Sequence, residues 1–398
     1  MSAKLLKAFA GIILCAVGIT SAQGHNDVAP LPPPYAGHYQ PEGRDEVGLW
    51  QLDDENERRL ANAPILIRDE ALTDYVHEIL CRTVGDDRCG SIRTYIIREP
   101  TFNATMSPNG TMRVFSGLLL RMRSEAELAA ILGHEFGHFE KRHSLNGFRS
   151  RRRGTDILAW SALLVSAAPS QQGFRNHQNL ELSVYGELFS YKRNQEREAD
   201  LLGLGYLNAS EYRPQSASEV WTNLMGEIEA SARVRGKRKP NFKRVAFTAS
   251  HPPQGERAAY LKALADPQGY NRDDGALRYR EMLAPFLSLF LEDQVRHNDF
   301  GATQYILNSL GDLGWNADLY FAQGEMYRSR GNQRDFANAI ESFEAALELD
   351  STMAAAYRGL GLCLIRAGDR SRGREALKSY LELAPEAEDS AMILMMIG

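Results

Sequence analysis

Residues 133–143 read GHEFGHFEKRH, with two histidines four apart around a glutamate inside an otherwise apolar segment. On a helix of about 3.6 residues per turn, positions four apart stack on one face, so His134 and His138 can aim both imidazoles at one point. A metal ion fits such a point. Upstream, Ser124 followed three residues later by Glu127 has the pattern of a capping box, which starts the helix at that serine. Leu128, Leu132, Phe136 and Phe139 then fall within one narrow arc, and the histidines lie to one side of it. That apolar stripe anchors the helix and leaves the histidine face available. Gly133 and Gly137 share a third face, which permits close backbone approach although glycine weakens a helix.

The H-E-x-x-H pattern alone is also compatible with a satisfied pair of core histidines, so the rest of the chain must supply further ligands. In RNQEREAD (193–200), Glu196 and Asp200 are again four apart on a helical pattern. One turn then offers one carboxylate to a metal and a second to a histidine ligand, since metal-bound imidazoles donate their other N–H to a carboxylate or carbonyl. Glu198 is the weaker ligand candidate. In FTASHPPQGERAAYL (247–261), His251 stands before two prolines and Arg257 opens the next helix. A histidine in such a turn can be a ligand, a transition-state donor or a helix-start residue. His143 is another candidate third ligand, but it lacks the intervening glycine on which a metzincin bends its chain.

Composition bounds what surrounds this motif. With 398 residues, 43% of them hydrophobic, the chain can bury more than one core. A net charge of −5 argues against a dedicated nucleic-acid binder. The run RVRGKRKPNFKR (233–244), with seven cations and no acid, reads as a solvated loop. At the start, Lys4 and Lys7 precede an apolar run from Ala8 to Ile19, and TSA follows, the layout of a secretory signal peptide cleaved after Ala22. Residues 23–46, rich in proline and glycine, read as a linker or a wrapping arm, and a compact domain is expected over 47–282. Cys81 and Cys89 close a short polar loop, and in an oxidising compartment a disulfide between them is the natural expectation. Residues 69–80 read as a helix, and 92–99 and 111–115 as strands around a turn at Pro108–Gly110. The uncharged stretch ILAWSALLVSAA (157–168) reads as a buried core helix or a flap over the site, with peripheral membrane contact as the alternative.

The last third repeats. Phe286, Tyr320 and Tyr357 are equivalent, as are Phe290, Gly324 and Gly361, and the second helices match through Ala302–Ile306, Ala339–Phe343 and Gly373–Leu377. A period near 34 residues with small and aromatic residues at these offsets is the tetratricopeptide signature, here with a short insertion near Asn332 and a degenerate first unit. A repeat domain is therefore expected over 283–398. Such solenoids present a concave surface for extended peptides or partner helices.

Taken in order, GHEFGHFEKRHS, RNQEREAD and SHPPQGER resemble the zinc peptidases related to the CAAX prenyl protease and the HtpX heat-shock protease. The resemblance is strongest to the soluble periplasmic branch that carries C-terminal tetratricopeptide repeats, and it covers nearly all of the chain from about residue 47. It implies a mostly α fold, in which a gluzincin-type zinc protease domain of helices and a small β-sheet precedes an α-solenoid. It implies one Zn²⁺ per chain held by His134, His138 and Glu196, with Asp200 supporting from behind. His251 matches a histidine that can take the fourth zinc position and hold the enzyme latent, and Arg257 matches its partner. Lys192 stands where the family commonly has serine. Glu135 is then the general base for water attacking a peptide carbonyl, with substrate extended along Thr111–Phe115. The expected function is endopeptidase action on misfolded or misassembled envelope proteins in the periplasm, with an assembly partner on the repeats. The alternative is a chaperone or scaffold whose zinc site is latent or structural.

Overall fold

The structure is a computed structural model that describes residues 32–37, 39–167, 171–243 and 253–398. The expected signal peptide, residues 1–22, lies outside the described residues. Pro34, Tyr35 and Tyr39 lie against the folded body. The Tyr35 ring is 5.7 Å from that of Phe136, and the Arg142 guanidinium lies 4.6 Å over Tyr39. Tyr39 is buried and donates to Glu46 at 2.7 Å. Tyr35 and Tyr39 thus hold the end of the proline-rich stretch on the body.

Helix α1 (Gly43–Ala61) leads to a two-residue strand, β1 (Leu66–Ile67). Helix α2 (Glu70–Val84) starts where the Asp69 side chain accepts the Leu72 amide at 2.8 Å. It buries Leu72, Val76, Ile79 and Leu80, the spacing of one helical face. A short helix, α3 (Asp86–Cys89), closes the Cys81–Cys89 disulfide, with Cα atoms 5.2 Å apart. Then come β2 (Arg93–Ile97), β3 (Ala104–Met106) and β4 (Thr111–Phe115).

The sheet order is β1-β2-β4-β3, with β2 and β4 parallel and the outer pairs antiparallel. Strand β4 is thus paired on both sides. This corrects the expectation that substrate would pair along Thr111–Phe115, because that strand's main-chain groups are already used and the edges are β1 and β3, with β3 next to β4. Glu57 on α1 ties that helix to the sheet, accepting from the Arg93 guanidinium at 2.7 Å and from Tyr95 at 2.9 Å.

Helix α4 (Ser116–Arg121) precedes the histidine helix, α5 (Glu125–Glu140). Ser124 caps α5 by accepting the Glu127 amide at 3.2 Å. The reciprocal bond of the box is displaced by one residue, since Glu127 accepts the Arg123 amide at 2.8 Å and the Arg123 guanidinium on its other oxygen. The long helices α6 (His143–Ala167) and α7 (Gln171–Ala209) form a hairpin. Ile157, Trp160, Leu163 and Leu164 on α6 are exposed, which corrects the reading of 157–168 as a buried core helix.

Helices α8 (Ser216–Val234) and α9 (Gln254–Leu264) follow. In the C-terminal part α10 (Ala276–Arg296) lies chiefly against α12 (Ala317–Arg330), and α11 (Phe300–Gly311) against α8; α12 then pairs with α13 (Gln333–Leu349) and α14 (Ala354–Ala367) with α15 (Arg370–Leu383), ending in α16 (Ser390–Ile397). The Phe343 ring fills the space that side chains at Gly324 and Gly359 would need, with built Cβ atoms 2.6 and 2.4 Å from it. Small residues on the first helices of neighbouring repeats thus receive the aromatic of the second helix between them. One apolar core runs from Leu72 to Met326, and separate smaller clusters hold Ala339 to Ala376 and Leu377 to Ile393.

Candidate metal centre

Two helices from separate parts of the sequence build the site, and small residues let them meet. A Cβ added at Gly203 on α7 would lie 2.8 Å from the His134 amide nitrogen, and one at Gly137 on α5 would lie 3.2 Å from the Ala199 carbonyl oxygen. The backbones of α5 and α7 are therefore in contact along Gly133, Gly137, Ala199 and Gly203. This seam sets Glu196 and Asp200 opposite His134 and His138.

The Nε2 atoms of His134 and His138 are 3.1 Å apart. Glu196 Oε2 is 3.7 Å from His134 Nε2, and Glu196 Oε1 is 3.6 Å from His138 Nε2. Ligands on a tetrahedral zinc at about 2.0–2.1 Å are separated by roughly 3.3 Å, so these spacings bracket the edges of such a site. The donor types, two imidazoles and a carboxylate, also suit it. Among the described residues the other grouping of metal-binding residue types, His77 with Cys81 and Cys89, is closed by the disulfide.

Each histidine is held from behind. His134 Nδ1 is 2.8 Å from Asp200 Oδ1. Arg257 donates to Asp200 Oδ2 at 2.8 Å, Tyr260 donates to the same oxygen, and the Arg257 guanidinium lies 3.6 Å over the Trp221 ring. Arg257 Nη1 is also 3.8 Å from Glu196, so this buried cation steadies both carboxylates. His138 Nδ1 is 2.9 Å from His143 Nδ1, and His143 Nε2 is 3.3 Å from Glu198. The chain turns back at Arg142, a non-glycine residue at φ 50°, so that His143 falls behind His138 without the glycine that the metzincin bend requires.

Burial would lower the basicity of His134, but the Asp200 carboxylate outweighs it and raises that basicity. Burial, and then the neighbouring His134, push His138 down to about 3, which leaves its ring neutral and its lone pair available. Asp200 is buried, which alone would raise its pKa, yet His134 and Arg257 hold it well below the usual carboxylate range. Glu135, between the two histidines on α5, is half-buried and close enough for its charge to act on His134. A cavity of about 230 Å³ opens beside the site and is lined in part by His138, His143, Tyr191, Lys192 and Glu196.

The structure thus brings His134, Glu135, His138, Glu196, Asp200 and Arg257 into one region, whereas His251 lies outside the described residues. Sequence reading passed over Tyr260, Trp221 and the orienting role of His143. Tyr260 had a signal, standing three residues from Arg257 on the same helix. Trp221, on α8, had none.

Residues 68–265 match the model for peptidase family M48, and residues 332–394 match a tetratricopeptide repeat model. The mitochondrial metalloendopeptidase OMA1 of Schizosaccharomyces pombe is 29% identical over a stretch covering 46% of this chain and 50% of that protein. A putative beta-barrel assembly-enhancing protease of Vibrio cholerae is 28% identical over 44% of this chain and 37% of its own length. The metalloprotease YcaL of Escherichia coli is 28% identical over 46% of this chain and 66% of that protein. The chain spans half or less of the first two relatives. It carries a domain of peptidase family M48 followed by tetratricopeptide repeats.

Proposed function

We propose that this chain is a zinc-dependent endopeptidase that hydrolyses peptide bonds of misfolded or misassembled envelope proteins in the periplasm. The observation that carries the reading is the set of three donors from two helices at the separations of a tetrahedral zinc site. His134, His138 and Glu196 would hold the ion, with Asp200 and His143 orienting the rings. Zinc, when bound there, polarises a carbonyl and lets water ionise near neutral pH. Glu135 takes the proton of the attacking water and returns it to the leaving amine. An extended peptide adds to the edge strand β3, whose Met106 lines a small cavity together with His138. Main-chain pairing of that kind makes the enzyme weakly selective for sequence.

His251 has two roles open to it. As a latch it fills the fourth metal position and blocks hydrolysis, and as a donor it stabilises the transition state. His251→Ala raises proteolysis in the first case and abolishes it with metal retained in the second.

Chaperone or scaffold activity through the repeats is the second reading. It is favoured by a cavity of about 650 Å³ lined by Glu292, Phe321, Glu325, Arg328 and Arg358, a mixed charged and apolar surface between helices of successive repeats. The decisive variant is Glu135→Gln. The peptidase reading expects it to keep its zinc and lose casein hydrolysis by about a hundredfold or more. Full activity in that variant, or purified protein that takes up no divalent ion, overturns the reading. Loss of hydrolysis with complete rescue of envelope defects assigns the main role to the repeats.

A further inference from the structure

The α6–α7 hairpin has two unlike faces. Gly154 and Ser161 fix which side of α6 faces α7: a Cβ at Gly154 would lie 2.9 Å from Val184, and Ser161 bonds His177 at 3.0 Å. Away from that contact stand Ile157, Trp160, Leu163 and Leu164, which are 50%, 67%, 57% and 69% exposed. At about 100° per residue these four share an arc of roughly 120°. The same face continues toward the helix start with Arg149, Arg152 and Arg153, beside the acid Asp156; Asp45 on α1 pairs with Arg149 at 3.7 Å and with Arg152 at 2.5 Å, and the Arg152 side chain stays 59% exposed. The neighbouring stretch of α7 is polar on its exposed side, with Gln172, Arg175, Asn176 and Asn179.

Soluble proteins rarely leave a tryptophan and three large aliphatic residues together in water. A groove on another protein would accept the apolar arc, but it would not ask for the exposed guanidiniums of Arg152 and Arg153 at its end. An amphipathic helix lying in a headgroup layer asks for both, with Trp and Leu among the acyl chains and Arg on lipid phosphates. Among the described residues no helix is long and apolar enough to cross a membrane, so this helix would lie on the surface.

We infer that the Ile157–Leu164 face of α6, with its flanking arginines, is a docking surface for an anionic phospholipid bilayer. The helix runs about 25 Å from His143 to Trp160, which sets the metal centre to one side of the docked face along the bilayer surface. Polypeptide emerging from or failing to enter the membrane would then meet the site. The docking itself does not depend on the peptidase reading, because none of the face residues belongs to the metal centre.

The test sediments the full chain with vesicles of phosphatidylcholine alone or doped with phosphatidylglycerol. The full chain binds the anionic vesicles, and added salt weakens that binding. The double variant Trp160→Ser/Leu164→Ser binds about tenfold more weakly or less, while it unfolds at the parent temperature and hydrolyses soluble casein at the parent rate. Arg153→Glu weakens the anionic preference. Brominated lipids quench fluorescence in the parent and not in Trp160→Phe. The inference fails if the parent ignores anionic vesicles or if the double variant binds them as the parent does. It fails equally if the double variant loses unfolded polypeptide while neither protein binds vesicles.

Discussion

His138 offers a donor on one ring nitrogen and is oriented through the other. Its Nε2 faces His134 and Glu196, and its Nδ1 meets His143, which rests in turn on Glu198. Removing such a support costs about 10–100-fold in metal affinity. His143→Ala is therefore expected to weaken zinc binding by about that factor in a competition with a chromogenic chelator, without loss of fold. His143→Gln, which can still present a hydrogen-bonding group, should recover part of it. An unchanged affinity in His143→Ala would show that packing alone orients His138. Asp200 is the harder case, because it also neutralises buried Arg257. Asp200→Ala leaves that cation without its main partner, and the cost should reach about 3–5 kcal/mol in denaturant unfolding. The pairs His134 with His138 and Glu196 with Asp200 were legible because helical spacing alone stacks each of them. Asp200, which stands behind His134, was thus legible from its spacing, but His143 was not, since it reaches His138 only through the left-handed turn at Arg142, and no spacing rule foretells that turn.

Among the elements, the contact of α5 with α7 decides whether the site exists. Two glycines on α7 separate the causes cleanly. A methyl at Gly203 meets the His134 amide nitrogen at 2.8 Å, whereas Gly205 is exposed and has nothing within 4 Å of its built Cβ. Alanine gains about 1 kcal/mol over glycine in a helix interior. Overpacking a tight contact costs about 1–3 kcal/mol. Gly205→Ala should therefore raise the unfolding midpoint and leave zinc affinity alone. Gly203→Ala should lower both, since the helices must part where the ligands converge. Equal effects from the two substitutions would mean that the seam does not set the site. The glycine face of α5 was visible in the sequence, but its partner was not, because Ala199 and Gly203 carry no sign of which helix they will touch. The exposed arc of α6 was misread for a related reason, since an uncharged run looks the same whether it is buried or presented to solvent.

At the scale of the whole molecule, the catalytic and repeat segments share one interior. Arg98 on the loop after β2 bonds Asp293 on α10 at 2.7 and 2.8 Å. Arg121 on α4 joins Glu227 on α8 and Gln294 on α10. Tyr279 on α10 donates to the Leu119 carbonyl oxygen at 2.8 Å. Between these bonds, Tyr279, Leu283, Phe290, Leu291, Ile306, Leu307, Leu319 and Met326 belong to the same core as Leu119, Leu120 and Val220. Sequence periodicity shows where the helical repeats run, but an amphipathic helix reads alike whether it faces a repeat or the peptidase, so the shared core could not be foreseen. Each fully buried side chain of this size is worth about 1.5–3 kcal/mol, against a total stability of about 5–15 kcal/mol for a domain. A chain ending after Asp266 uncovers the peptidase side of that core, and a few such exposures exhaust its stability. A chain ending after Gly331 keeps this core whole and loses only the clusters from Ala339 onward. The longer truncate should unfold in one cooperative transition and bind zinc with parental affinity, while the shorter should show no cooperative transition in calorimetry and no zinc retention. A cooperatively folded, zinc-binding chain ending at Asp266 would show that the peptidase segment stands without the first repeat helices.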